Sequence, residues 1–524
     1  MQLADAFIHL RHDGGCGETA SRGSARFFRG HRIGGSAGAP ADGIYAEWAW
    51  DGRGLELRTD RYGAAPLFYW CDASQICVSP SLLAVLQCGA PTALDEAGLA
   101  AFLRLGYFLG DDTPFAAIRA VPPGAVMTWQ EGRLTCRAGR PRVQAMRIGR
   151  SEAIDGFIAL CRESIRRRLP SGDGVVMPLS SGRDSRHIVY ELHAAGVRPH
   201  CVTIPRYPPR PPEDQRIAPL VAAALGLPHT LLRQNPSRCA AEVAKNWVTH
   251  LCADEQAWYL EVAEQVGAHA RTMYDGLGGA LSVPNRYHTV ETQRLMARGD
   301  TRTLADRLIV DFGVQTESLL RRLLRRRAFA ALSREHAVAR LAAELITHRD
   351  APDPMKSFNF WNRNRRELAL WPYAILRDVP NVYTPYLDRE LFDFLMGLPP
   401  AVISPAPADG KAFHTDAINR AFPQYAAVPF ENKKAPRIDA RSHNQRLARE
   451  AAGFILRHAR LSMRWLDATA VLPRALCAMG RPAFGANRPW LLLVGLYLTQ
   501  LEMAADGRAP DARGGGAESL RRAA

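Results

Sequence analysis

A strand-to-helix junction at residues 175–186 constrains this chain more than any other feature of its sequence. The apolar residues 175–179 (VVMPL) predict a buried parallel strand, and residues 186–195 predict the helix that follows it. The turn between them is made of Ser, Gly and Asp. Its backbone N–H groups lie at the predicted helix N-terminus, where they can bind an anion together with the hydroxyls of Ser180, Ser181 and Ser185. An ordinary strand-to-helix turn with a Ser cap is the structural alternative.

Two further residues of this turn fit a phosphate ligand. Gly182 has no side chain, so the backbone can approach phosphate oxygens closely. Asp184 is placed to hold a Mg²⁺ ion, which would neutralise a pyrophosphate group. The turn therefore predicts a nucleotide site with Asp184 as its metal ligand.

Three motifs resemble one known superfamily. The turn resembles the SGGxDS pyrophosphate loop of ATP pyrophosphatases, with Ser181 in the place of the first Gly. Residues 60–69 (DRYGAAPLFY) resemble the DRxGxxPLYY stretch in the glutaminase domain of asparagine synthetases, and residues 113–124 are similar to the segment that closes that domain. These motifs follow one another in the family's order. By this resemblance the chain is identified as a member of the asparagine synthetase-like superfamily.

The resemblance implies a two-domain fold with α/β and α+β parts. Residues 1–145 would form a class II glutamine amidotransferase-like (Ntn-type) sandwich of antiparallel sheets. Their short apolar stretches, separated by Gly, Asp and Pro turns, agree with a sheet-rich domain. Residues 146–505 would form a parallel-sheet ATP-pyrophosphatase domain with a helical C-terminal part, and residues 506–524 a disordered tail. The polar and basic residues 128–150 are predicted to carry the linker.

The family pattern fails at the glutaminase nucleophile. A working domain of this type needs a Cys that becomes the N-terminal residue once Met1 is removed, and Gln2 stands there. The nearest cysteine, Cys16, would need proteolysis to become N-terminal. We therefore expect a degenerate domain that releases no ammonia from glutamine. Beta-lactam synthetases and lasso-peptide cyclases resemble this arrangement.

The resemblance places further nucleotide contacts on two later segments. Residues 200–204 predict the second strand of the parallel sheet, and adenine would sit at its C-terminal edge beside Val202 and Ile204. Residues 274–280 (YDGLGGA) resemble the second nucleotide loop, SGEGADE, in which Gly276 and Gly278 match.

Two positions of the second nucleotide loop depart from the family. Ala280 replaces its metal-binding Asp, and Leu277 replaces its Glu. The metal would then be held by Asp184, phosphate oxygens and water. Asp275 is an alternative metal ligand. The other interpretation of Asp275 is a residue that only forms the turn before Gly276.

Acidic residues at one predicted helix start form another candidate. Glu213 and Asp214 precede residues 222–229, and the resemblance places an acidic residue and a His, here His229, beside the nucleotide. A solvated acidic helix start is the alternative for both carboxylates.

The C-terminal half carries two more matches. Residues 385–391 with 398–399 are similar to the PFLDxxL…LP helix start of asparagine synthetases, where Asp388 is expected to be an N-cap. Lys411 and residues 429–434 (PFENKK) resemble the family's K-x-x-x-R…R-x-K stretch, with Glu431 in the place of the Arg. Lys433 would stabilise charge during acyl transfer. A lysine in an exposed loop is the alternative.

Composition is consistent with a two-domain enzyme. The 524 residues can form two or three cores, and the longest apolar stretch, 490–498, is too short to span a bilayer and predicts a buried helix. Ten scattered cysteines without a CxxC pair indicate a reduced, cytoplasmic compartment. The net charge of +15 resides partly in Arg runs, which we assign to solvated helix faces, with docking of a peptide substrate or an acidic partner as the alternative. Neither nucleic acid nor a membrane is expected as a partner.

The resemblance implies an ATP-dependent, AMP-forming carbon–nitrogen ligase that uses ATP and Mg²⁺. Asp184 and Lys433 would be its catalytic residues, and its substrate would be a small molecule or peptide with both a carboxylate and an amine. A lasso-peptide-type macrolactam cyclase fits best, and it would work with a precursor peptide and its leader-processing proteins. Ammonia-dependent asparagine synthesis, beta-lactam synthetase-like ring closure and a non-catalytic nucleotide- or peptide-binding scaffold are the alternatives.

Overall fold

Three five-stranded sheets and many helices make up the computed structural model. The structure describes residues 6–15, 17–34, 42–403, 412–432, 434–480 and 490–508. The strands are β1 (Ile8–Asp13), β2 (Glu18–Gly23), β3 (Arg26–Ile33), β4 (Asp42–Trp50), β5 (Leu55–Thr59), β6 (Phe68–Cys71), β7 (Gln75–Ser79), β8 (Ile118–Ala120), β9 (Val126–Gln130), β10 (Arg133–Arg137), β11 (Val175–Pro178), β12 (His200–Thr203), β13 (His229–Leu231), β14 (Thr272–Tyr274) and β15 (Asn381–Tyr383).

The N-terminal part of the chain forms two antiparallel sheets, as its short apolar stretches predict. Their strand orders are β2-β1-β7-β6-β8 and β10-β9-β5-β4-β3. Side chains alternate between the two faces of a strand, so Leu55 and Leu57 of β5 are buried while Glu56 between them is not. Both sheets contribute to one hydrophobic core, which includes Leu10 of β1 and Trp129 of β9.

The stretch 128–150, predicted to carry the linker, contains regular structure in its first part. Residues 126–130 and 133–137 form β9 and β10, and residues 138–149 lack regular structure before the next helix begins at Arg150. β10 is the last strand of its sheet and its side chains are largely exposed. A polar edge strand shows no apolar alternation, and its sequence therefore resembles a linker.

The C-terminal part contains a parallel sheet with the order β13-β12-β11-β14-β15. Of the five strands in this sheet, β11 comes first along the chain and lies at the centre. The chain continues outward on one side through β12 and β13 before it crosses to β14 on the other side. Loops that follow β11 and β14 therefore leave the sheet in opposite directions at its C-terminal edge. A strand-order reversal of this kind opens a crevice where parallel sheets bind ligands.

Helices surround the sheets and dominate the C-terminal half. They are α1 (Leu82–Gln87), α2 (Glu96–Leu105), α3 (Arg150–Arg166), α4 (Asp184–Ala194), α5 (Glu213–Ala224), α6 (Arg238–Val248), α7 (Leu260–Val262), α8 (Val290–Arg298), α9 (Thr301–Phe312), α10 (Glu317–Leu323), α11 (Arg326–Ala331), α12 (Arg334–Ile346), α13 (Pro354–Asn359), α14 (Arg389–Gly397), α15 (Pro400–Ile403), α16 (Phe413–Ala421), α17 (Arg441–Arg457), α18 (Ala459–Trp465), α19 (Ala468–Gly480) and α20 (Trp490–Ala505).

Two helix predictions are confirmed. Asp388 caps α14, because its carboxylate accepts hydrogen bonds from the backbone N–H groups of Glu390 and Leu391. The apolar run 490–498 lies in α20, where Leu498 and Leu501 are fully buried. Among the described helices, none combines the length and apolar character needed to cross a bilayer.

Buried arginines join the N-terminal sheets to the C-terminal half. The guanidinium of Arg104 in α2 is fully buried, donates to both carboxylate oxygens of Glu317 and donates to the carbonyls of Ala100 and Leu332. Further ion pairs that cross between the halves are Arg61–Asp393, Asp112–Arg340 and Asp111–Arg365.

Removal of the Arg104 side chain should destabilise the protein strongly. Arg104→Ala leaves Glu317 and two carbonyls without their donors, and loss of one partner of a buried pair costs about 3 kcal/mol or more of unfolding free energy. Urea denaturation measures this. Arg302→Ala is the matched control, since Arg302 and Glu335 are both 63% exposed and such pairs contribute less than about 1 kcal/mol. Equal losses in the two variants would contradict the interpretation.

Candidate functional site

Asp184 lies where the loops after β11 and β14 meet. An ideal Cβ on Gly279 would lie 2.3 Å from the Cγ atom of Asp184, and one on Gly276 would lie 2.9 Å from its Cβ. No larger residue fits at either position unless Asp184 moves. Gly278 has a different role, because its φ of +91° is left-handed and its Cβ position faces Leu387 and Tyr386. The predicted glycine loop therefore does lie against the predicted phosphate-binding turn.

The turn before α4 holds its own shape through serine hydroxyls. The Ser185 hydroxyl accepts from the Ser180 N–H (3.1 Å) and lies 3.0 Å from the Ser180 hydroxyl, which accepts from the Gly182 N–H (3.2 Å). In the described chain, the N–H groups of Arg183, Asp184 and Ser185 donate to no protein atom. Because the first N–H groups of a helix have no intrahelical partner, they can donate to an anion here.

Ser181 differs from the expected open hydroxyl. It is buried, and both its N–H (2.8 Å) and its hydroxyl (2.6 Å) donate to Asp214 Oδ1. Asp214 also pairs with Arg206, with 2.9 Å between Oδ2 and Nε. Asp214 is therefore a structural support of the turn and not a freely solvated helix start. Its neighbour Glu213 accepts from the Asn432 N–H at 2.8 Å.

A buried histidine that no motif indicated stands behind Asp184. His414 Nδ1 lies 3.3 Å from Asp184 Oδ1 and 2.8 Å from the Ser282 hydroxyl, and its Nε2 lies 3.1 Å from His187 Nδ1. Burial lowers the pKa of His414 to about 4, so it is neutral at pH 7 and acts through hydrogen bonds. Tyr386 also donates to the Asp184 carbonyl at 3.1 Å. Tyr386 lies inside the matched segment 385–391, whereas the two histidines belong to no motif.

Asp275 already has two donors. The Tyr259 hydroxyl donates to one oxygen (2.9 Å) and the Leu277 N–H to the other (2.8 Å), which is the turn-forming arrangement. Burial raises the pKa of Asp275, and the negative charge of nearby Asp184 adds to this. Among the described residues, no three His, Cys, Asp or Glu side chains are grouped to hold a metal ion. Asp184 thus remains the candidate ligand, with other ligands to come from outside the protein.

The segment that precedes Lys433 is fixed to the same turn. Arg186 donates to the carbonyls of Val428 (3.0 Å) and Pro429 (2.6 Å), and its guanidinium stacks 3.9 Å from the ring centroid of Phe430. The Glu431 N–H donates to the Ser181 carbonyl at 3.4 Å. Lys433 itself and Lys411 lie outside the described residues, so their predicted roles stay predictions.

Val202 and Ile204 are buried beside β11. The Val202 carbonyl accepts from the Leu179 N–H at 2.8 Å, and Thr203 between them donates to the Leu179 carbonyl and contacts His229. Both side chains belong to the hydrophobic core. Their contact with adenine stays a prediction.

A cavity of about 630 Å³ is linked to the turn through one of its lining residues. Arg206, which pairs with Asp214, lines it, and so does Trp258, the neighbour of the Tyr259 that bonds to Asp275. Ala435 also lies on its wall, two residues after Lys433. This cavity was not predictable from local sequence patterns, because its walls come from widely separated segments.

His414 should make the protein acid-sensitive. Its folded pKa of about 4 lies below the unfolded value of 6.5, so between these pH values the unfolded chain binds more protons and stability falls as pH falls. Wild type should lose up to about 1.4 kcal/mol per pH unit more than His414→Gln between pH 6.5 and 5. Urea denaturation at both pH values measures the difference, since the other groups are common to both proteins. Parallel pH profiles would show that His414 is not buried as a neutral group.

Comparison with known proteins bears on the N-terminal part of the chain. Residues 30–138 match the model of a glutamine amidotransferase domain. This match agrees with the N-terminal domain expected in asparagine synthetase-like proteins. No curated protein sequence matches the chain.

Two solved structures have partial matches. The glutamine phosphoribosylpyrophosphate (PRPP) amidotransferase from B. subtilis, complexed with ADP and GMP, is 13% identical, with 46% of this chain and 44% of that chain covered and a TM-score of 0.14. A structure of the allosteric regulatory enzyme of purine biosynthesis is 15% identical, with 49% and 44% covered and a TM-score of 0.14. The match spans less than half of each of those chains. Residues 30–138 are thus similar to a glutamine amidotransferase domain, and a part with a parallel sheet follows them in the chain.

Proposed function

We propose that this protein is an ATP-dependent, AMP-forming ligase that activates a substrate carboxylate and joins it to an amine of the same substrate, as in macrolactam formation. One observation carries the proposal. Asp184 and the unpaired N–H groups of residues 183–185 lie together at the strand-order reversal of the parallel sheet, packed against a glycine loop. A carboxylate beside free N–H donors suits a magnesium-bound polyphosphate.

The residues of the turn would serve the first step. Phosphate oxygens of ATP would accept from the N–H groups of residues 183–185 and from the Ser180 and Ser185 hydroxyls, and Asp184 would hold Mg²⁺. A carboxylate oxygen of the substrate attacks the α-phosphorus, and the bond from that phosphorus to the β-phosphate bridging oxygen breaks. Pyrophosphate leaves, and an acyl-adenylate remains. His414 and Tyr386 would keep Asp184 in place during this step.

Lys433 would serve the second step. The neutral amine attacks the acyl carbonyl, a C–N bond forms, and the C–O bond to the phosphate breaks. AMP leaves, and the proton that the amine nitrogen loses passes to solvent. A lysine ammonium near the carbonyl would stabilise the oxyanion. Support comes from the flanking residues, because Arg186 and Ser181 hold residues 428–431 against the turn.

The volume of the cavity favours a bulky substrate over free ammonia. Ammonia needs no space of about 630 Å³, whereas small-molecule and peptide ligands occupy cavities of roughly 300–1,000 Å³. We therefore favour an amine that belongs to the substrate. The amidotransferase domain at residues 30–138 would then act as a structural part of the cavity and not as an ammonia source.

Asp184→Asn should weaken the binding of MgATP and leave the binding of metal-free ATP nearly unchanged. The amide removes a charged metal ligand, and hydrogen bonds to charged groups are worth about 1.5–3 kcal/mol, so MgATP affinity should fall roughly tenfold or more. Isothermal titration calorimetry with Mg²⁺ and with EDTA measures both. Asp173→Asn, an exposed residue before β11, is the control. Failure of wild type to bind MgATP would overturn the proposed function, and unchanged MgATP affinity in Asp184→Asn would overturn the metal assignment.

Lys433→Ala should separate the two chemical steps. With a peptide that supports ATP–pyrophosphate exchange, amide formation should fall by roughly 10²–10³-fold, because charge-stabilising donors have that effect, while exchange falls much less. Mass spectrometry of the product and isotope exchange measure the two rates. Lys434→Ala is the neighbouring control. Equal loss of both activities would place Lys433 on the ATP phosphates, and a larger effect of Lys434→Ala would shift the assignment by one residue.

A further inference from the structure

Both halves of the chain contribute residues to the cavity that Arg206 and Trp258 line. Phe102 of α2 and Tyr497 of α20 line one side, and Trp258 lines another. Phe102 and Tyr497 stack with ring centroids 4.8 Å apart, and Arg206 lies 5.3 Å from the Trp258 ring centroid. Aromatic faces of this kind attract an apolar group or a cation.

One wall of the cavity carries a strained segment, residues 250–256. In the described chain, four residues other than glycine have a positive φ, and three of them lie here: His250 (59°), Leu251 (60°) and Gln256 (80°). A left-handed backbone at such residues costs free energy and persists only where the surroundings impose it. Strain of this kind is concentrated at functional sites.

Three side chains impose the conformation of this segment. The Tyr497 hydroxyl donates to the Leu251 carbonyl (2.9 Å), and Lys245 Nζ donates to the Asp254 carbonyl (2.7 Å). The Glu255 N–H donates to the buried Glu367 carboxylate (3.1 Å). The backbone on both sides of Asp254 is thereby fixed, while its side chain stays on the cavity wall.

Asp254 differs from the other carboxylates of the cavity. Glu242 pairs with Arg238 and Lys245, and Glu255 pairs with Arg363. No described residue donates a hydrogen bond to the Asp254 carboxylate or forms an ion pair with it. The Asp254 side chain is exposed to solvent on the cavity wall. The segment thus holds in place one carboxylate that lacks a cation.

The surroundings of Asp254 also favour the binding of a cation. An ideal Cβ on Gly106 would lie 3.6 Å from Asp254 Oδ2, and Gly106 caps the C-terminus of α2, where the helix dipole is negative. The neighbouring protein raises the pKa of Asp254, and the positive charge of Lys245 opposes this. At pH 7 and above the exposed carboxylate is mostly ionised.

We propose that this cavity binds the amine-bearing part of the substrate and that Asp254 pairs with its ammonium group. The inference rests on the proposed function, since it identifies where the second reactant of that ligase lies. The ligand class is a primary amine on an apolar or aromatic body, such as the N-terminus of a peptide. Arg206 lines this cavity and pairs with Asp214, which holds Ser181 of the turn that would activate the carboxylate. An amine bound here would be held in the same protein as the activated carboxylate, and such positioning accelerates amide formation.

The test uses a pair of peptides that differ only in the amine. Glycyl-phenylalaninamide, which has a free α-amino group, and its N-acetylated form are titrated into the full chain at pH 7.5 in the presence of MgATP. Wild type should bind the free amine roughly two- to fivefold more tightly than the acetylated peptide, because only the free amine carries a charge that pairs with the exposed Asp254 carboxylate. Asp254→Asn should remove this preference, and Asp254→Glu should restore part of it. Asp311→Asn replaces an exposed carboxylate in α9, which does not line this cavity, with the same amide. This control should keep the preference.

Two results would overturn the inference: equal affinity of wild type for both peptides, including no binding of either, or an unchanged preference in Asp254→Asn. The Asp254 carboxylate supports no other described side chain, so the variants should keep the wild-type thermal unfolding midpoint. MgATP affinity is measured in the same samples. A wild-type protein that binds MgATP but shows no amine preference contradicts the amine site alone, whereas a wild-type protein that fails to bind MgATP contradicts the ligase.

Discussion

The close approach of Asp184 to Gly279 is the constraint on which the rest of the site depends. With 2.3 Å between the Asp184 Cγ atom and the Cβ position of residue 279, a side chain there would force the carboxylate out of place. The approach is possible because β14 pairs directly with β11, so the loops that leave these strands share one edge. Sheet order, loop glycines and the position of one carboxylate are therefore parts of a single arrangement.

Distant segments converge on this arrangement and hold it from behind. Asp214 holds Ser181 from one side, and His414 contacts Asp184 from another. Arg186 of α4, the helix that begins at Asp184, hydrogen-bonds to and stacks on residues 428–430. The turn itself contributes only short hydrogen bonds between serines. Its shape is thus specified by local and long-range contacts together, and the N–H groups of residues 183–185 have no partner in the described chain.

Local signals in the sequence predicted local structure well. The strand β11 and the helix α4 lie where the apolar run and the helix-start residues indicated, although α4 begins at Asp184, two residues before the predicted start. The cap at Asp388 was predicted correctly because a cap depends on residues three positions away at most. β10 was not predicted as a strand, because an exposed edge strand carries no apolar alternation. The contacts of His414 and the strain at residues 250–256 were not predictable, since they arise only when segments far apart in the chain come together.

The buried arginines between the two halves determine whether either half could be stable without the other. Arg365 donates to the carbonyls of Gly110 and Val121 and to the Asp111 carboxylate, and Arg366 donates to the carbonyl of Asp112. A parallel-sheet half produced alone would expose these guanidinium groups beside newly uncovered apolar surface. The N-terminal half is therefore indispensable to the stability of its neighbour whether or not it performs chemistry. Selection could erase a catalytic residue from such a domain far more easily than it could delete the domain.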